Sequence, residues 1–202
     1  MVTRADLRAS KSDITSLLRE VHDEAVESRL KRFLADGLHE HDLFEPSWIR
    51  EKGWTVVLIQ DSMNHADAER IAWAGRKLGA QTVYTLPANS ESEEPVLETD
   101  MTRDGLIACS FNCMLSPYVY VPDNLTFAIF DESDIYYAVA GREEDVVKMT
   151  ANSRQTSWLM FDMFVEYLKG GHQQYALESI ELYRQAGFVP EFDSPAEAPA
   201  YW

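Results

Sequence analysis

Ile14, Leu17, Leu18, Val21, Ala25, Leu30, Phe33 and Leu34 recur close to the 3.6-residue helical period. They predict an amphipathic N-terminal helix over 12–35, capped by Ser12 and stopped at Gly37. The pattern changes at Trp54–Gln60, a continuous β-branched run between Gly53 and Asp61 that reads as a strand buried on both faces. Small apolar residues at Ala68, Ile71, Ala72, Gly75 and Leu78 then predict a helix, capped by Asn64 and ended by Gly79. Gln81–Pro87 reads as the next strand. Residues 54–87 thus form an expected β-α-β unit with parallel strands and a right-handed crossover.

The polar, acidic stretch 88–105 reads as a solvated loop, and Leu106–Leu115 as a short buried strand. Pro117 and Pro122 bracket an expected edge strand. Leu125–Phe130 and Ile135–Gly141 read as strands of a hairpin joined by residues 131–134, with a helix starting after Gly141. Apolar faces at 154–169 and 173–186 give a helical pair broken at Gly170 and Gly171. The expected fold is α/β or α+β, a single domain over 1–187. Its mixed sheet has about five strands, with the N-terminal helix and the helical pair packed on it. Residues 188–202, with three prolines and no period, read as a loose tail.

Charge changes this picture. The chain carries 34 acidic and 18 basic residues, a net charge of −16. Only −2 of it falls in residues 1–50, so residues 51–202 hold −14. Such a surface repels nucleic acid and anionic membranes, whose binding draws on Lys and Arg. It attracts a basic protein instead. No apolar leader opens the chain and no run of ~20 apolar residues occurs, so a cytoplasmic protein without a membrane partner is expected.

Candidate chemistry is sparse. Cys109 and Cys113 sit in an apolar context without a second ligand pair, which predicts reduced thiols and no metal. The string His39, Glu40, His41, Asp42 lacks a third ligand from elsewhere and reads as a connection. Asp61, Ser62 and His65 follow the first strand of the β-α-β unit, where α/β folds bind ligands, and form an alternative ligand site. No G-x-S-x-G elbow surrounds Ser62. The same loop has no glycine to admit a phosphate, so no nucleotide cofactor is expected. These observations lean against an enzyme.

The remaining candidate is an acidic face interleaved with tyrosine: Asp131, Glu132, Asp134, Tyr136, Tyr137, Glu143, Glu144 and Asp145. Turn formation and a helix N-terminus account for several of these acids. A rim of carboxylates around a tyrosine also suits a Lys- and Arg-rich partner, with only one of the two adjacent tyrosines able to serve. In size, charge and lack of a catalytic motif the chain resembles bacterial immunity proteins, which implies inhibition of a basic toxin domain. A small-molecule-binding protein or hydrolase using Asp61, Ser62 and His65 is the alternative. A structural subunit docking through Tyr201 and Trp202 is a third reading.

Overall fold

Seven strands and seven helices appear in the computed structural model, which describes residues 15–38, 43–89, 92–112, 116–132 and 135–191. The strands are β1 (Arg19–Glu20), β2 (Thr55–Gln60), β3 (Thr82–Pro87), β4 (Leu97–Asp100), β5 (Tyr118–Pro122), β6 (Phe127–Glu132) and β7 (Tyr136–Gly141). The helices are α1 (Glu24–Gly37), α2 (Pro46–Glu51), α3 (His65–Lys77), α4 (Arg103–Asn112), α5 (Glu143–Thr150), α6 (Arg154–Val165) and α7 (Gly171–Gln185). The α/β class is as the pattern implies. The sheet differs: it has the order β1-β4-β3-β5-β6-β7-β2, and every pairing is antiparallel.

The expected β-α-β unit is therefore corrected. β2 and β3 flank α3 in the chain, yet β5, β6 and β7 lie between them in the sheet. The hairpin β6–β7 supplies the reason. β7 presents its free edge to β2 along its whole length, from Gly141 opposite Thr55 to Tyr136 opposite Gln60. A buried apolar run specifies burial but carries no address for its neighbour.

Four other elements differ. Among the described residues, the helix expected over 12–35 runs from Glu24, where the Asp23 carboxylate accepts from Ala25 N at 2.9 Å and Val26 N at 3.3 Å; Ser12 lies outside them. The chain before it joins the sheet edge, where Arg19 pairs with Glu98 and Asp100. Within the expected loop 88–105 lies β4. The expected strand at 106–115 is instead α4 as far as Asn112, since a short apolar run fits a buried helix as well as a strand. Gly105 permits that turn from β4 into α4: a Cβ there would lie 2.3 Å from the Asp100 carbonyl oxygen. β5 is interior, between β3 and β6; Pro122 closes it at its last residue and removes no donor from its middle.

Helices cover both faces. One face, with Phe127, meets α3 and α5; Gly75 brings α3 close to Met101 and Phe127, and Gly141 brings Val146 close to β6. On the other, Phe130 meets Phe44 edge-on at 6.3 Å and Tyr136 meets Phe161 edge-on at 5.2 Å. One hydrophobic cluster joins both faces. Phe188, placed by the sequence in a loose tail, is buried against Tyr183, and its N–H donates to the Tyr183 carbonyl at 2.9 Å.

Candidate functional site

Residues 131–145 were the leading candidate, and the structure divides them. Asp131 is not a turn residue. It lies in β6, fully buried, in a cross-strand row with Tyr118, Tyr137 and Ile59. The Tyr120 hydroxyl donates to its Oδ2 at 2.6 Å. Tyr136 and Tyr137 are fully buried, on opposite faces of the sheet, so neither is an exposed anchor. A strand covered on both faces leaves neither alternation partner in water.

Asp145 is also buried, and accepts from Arg142 Nε and Lys148 Nζ, each at 3.0 Å. Glu143 and Glu144 stay exposed in the first turn of α5, where they complement its dipole, and Glu132 is half-buried. Asp134 lies outside the described residues. The expected continuous acidic-tyrosine face is thus replaced by two exposed glutamates over a buried, paired core.

The alternative site keeps its place at the end of β2, but β2 is an edge strand rather than the start of a parallel pair. Asp61 is exposed with φ +62°, Ser62 is half-buried and His65 is exposed at the start of α3. Asn64 Oδ1 caps the helix, accepting from Ala66 N at 2.8 Å and Asp67 N at 3.0 Å. In the same helix the buried Asp67 carboxylate pairs with Arg70, and its charge acts on the Tyr137 hydroxyl. Burial first, then the Asp67 charge, raises the Tyr137 pKa well above its ordinary range. Sequence reasoning missed Asp67, Arg70 and Tyr137 as a set. Their only signal was the i, i+3 spacing of Asp67 and Arg70 on one helix face.

Asp61 has a conformational reason to be there, since Asp and Asn tolerate the left-handed region better than other side chains. Asp61→Asn should shift stability by under about 1 kcal/mol in urea unfolding. Asp61→Val should be markedly worse. Equal midpoints for the two variants would show that the backbone at this position carries no such demand.

Burial pushes the Cys109 thiol pKa far up, away from reactivity. Cys113 and the string His39, Glu40, His41, Asp42 lie outside the described residues. Among the described residues no three His, Cys, Asp or Glu side chains group as metal ligands, and no helix is long and apolar enough to cross a membrane.

Two features appear that the sequence reading did not single out. A cavity of about 290 Å³ opens between α1 and the end of β3, lined by Arg32, Leu34, Leu86, Asn89 and Val96 among others. On α6, Met160 and Met163 are 41% and 36% exposed, and Tyr167, in the turn that follows the helix, is 76% exposed; exposed Asp162 and Glu166 fall between them in the chain. Comparison with protein-family models, curated proteins and solved structures found no match.

Proposed function

We propose that this protein acts by binding a basic protein partner through the outer face of α6, and that it inhibits that partner as an immunity protein would. The carrying observation is the exposure of Met160 and Met163 on α6 and of Tyr167 in the turn after it. Residues three apart share a helix face, so Met160 and Met163 lie together on α6; Tyr167 follows in the turn after Glu166, its N–H donating to the Phe164 carbonyl at 2.9 Å. Methionine adapts to varied surfaces, and tyrosine is a common interface anchor. Asp162 and Glu166 rim these residues with negative charge, and the whole chain at −16 favours approach of a cationic surface. Glu143 and Glu144, exposed at the start of α5, add to the long-range field.

The test uses a basic protein retained by the chain from its native host, purified and measured kinetically. Tyr167→Ala should weaken its binding at least tenfold, mainly by faster dissociation. Glu166→Lys should slow association, and the slowing should shrink as salt rises, because screening acts over about 8 Å at physiological ionic strength. Retained proteins whose binding ignores both substitutions would remove the α6 face from this reading.

A further inference from the structure

Phe33 on α1, Trp48 on α2 and Trp54 at the entry to β2 surround one cation. The Lys52 ammonium nitrogen lies 5.0 Å from the Phe33 ring centroid, 4.9 Å from Trp48 and 5.2 Å from Trp54. The rings stand as walls at near right angles. Phe33 and Trp48 meet at 81° with centroids 5.0 Å apart, and Trp48 and Trp54 meet at 80° with centroids 5.3 Å apart. Each wall is fixed. Gly37 lets the Trp48 ring approach α1, since a Cβ there would lie 2.8 Å from Trp48 Cζ2. Gly53, at φ +64°, turns the chain back so that Trp54 N–H donates to the Ile49 carbonyl at 2.9 Å.

We propose that Phe33, Trp48 and Trp54 form a binding cage for a quaternary ammonium group, and that Lys52 is its internal plug. Aromatic faces attract cations by their quadrupole, and several faces converging on one point add their fields. Size argues for a methylated nitrogen. A methyl carbon sits about 1.5 Å from its nitrogen and packs about 3.5–4.0 Å from a ring, which places the nitrogen about 5.0–5.5 Å away. Phe33 at 5.0 Å and Trp54 at 5.2 Å meet that distance, and Trp48 at 4.9 Å lies just inside it. Lys52 holds its ammonium there from the C-cap of a short helix, and is itself exposed. The side chain can therefore swing into water and leave the cage open. This site is independent of the α6 face.

The experiment titrates wild type, Lys52→Ala and Lys52→Ser with tetramethylammonium chloride, using sodium chloride to hold ionic strength constant, and follows tryptophan fluorescence. Saturable binding should appear in the Lys52 variants and be at least tenfold weaker in wild type. Adding Trp54→Ala to Lys52→Ala should abolish it. A trimethyl-lysine peptide and choline, used as competitors, distinguish a modified protein side chain from a free small molecule as the source of the group. The proposal is overturned by any of three results: no saturable response in either Lys52 variant, equal affinity in wild type, or a response that survives Trp54→Ala.

Discussion

Tyr136→Ala should destabilise the protein by about 3–5 kcal/mol, the usual cost of truncating a large aromatic side chain in a packed core. The ring is fully buried, edge-on to Phe161 at 5.2 Å and 6.3 Å from the Tyr175 ring. It fills the space between β7, α6 and α7, and none of these elements can collapse into the void without leaving another partner. The hydroxyl is a separate contribution. It lies 2.9 Å from Ser179 Oγ, whose own proton is committed to the Tyr175 carbonyl at 2.9 Å. Tyr136→Phe therefore keeps the packing and loses one buried hydrogen bond, for about 1 kcal/mol. Urea unfolding separates the two. An alanine variant as stable as the phenylalanine variant would mean that the ring is not packed as described. An exposed docking tyrosine would show the reverse pattern, with binding lost and stability kept.

Stability should fall steeply above about pH 10, by roughly 4 kcal/mol per pH unit at most. Three buried tyrosines drive this. Burial raises the pKa of Tyr136, Tyr137 and Tyr183 above the ordinary phenol value; the negative charge of Asp67 adds to it at Tyr137. In the unfolded chain each phenol ionises near pH 10, while in the fold it stays neutral. Above that pH the native state binds more protons than the unfolded state, so stability declines as pH rises. Each group contributes about 1.4 kcal/mol per pH unit until its folded pKa is reached. Below pH 10 all three are neutral in both states, and this source of pH dependence vanishes. Tyr183→Phe should lower the slope by about one third, at the cost of the hydroxyl's 3.2 Å hydrogen bond to the Phe44 carbonyl. Urea midpoints that stay level through the alkaline range would contradict the burial of these hydroxyls.

Elements with their own punctuation were legible along the chain. α3 starts where Asn64 can cap and ends where Gly79 can adopt φ +91°. The hairpin strands β6 and β7, the helix after Gly141 and the break at Gly170 follow from residues within a few positions of each other. α4 was misread because Leu106, Ile107, Ala108 and Cys109 are all buried, and such a run has no period to separate helix from strand. β4 was missed for the opposite reason. Leu-Glu-Thr-Asp is polar enough for a loop and becomes a strand only because β3 and β1 lie on either side of it.

The candidate site was less legible than the fold. The cluster of acids and tyrosines at 131–145 was visible in the sequence, but which of them meet water was not. Asp131 is silent about Tyr120 eleven residues earlier, and Tyr136 about Ser179 on a helix packed against its strand. The ring cage is similar. Gly53 and Trp54 follow Lys52 directly, but Phe33 arrives from a helix fixed by Gly37 against Trp48. By itself the sequence determined what depends on near neighbours: caps, turns, apolar faces, net charge and the α/β class. Only the tertiary structure decided the strand order, the all-antiparallel sheet, the burial of Asp131, Tyr136 and Tyr137, and the convergence of three rings on one ammonium. A residue's periodicity fixes the face it presents, whereas its solvation depends on which distant segment covers that face.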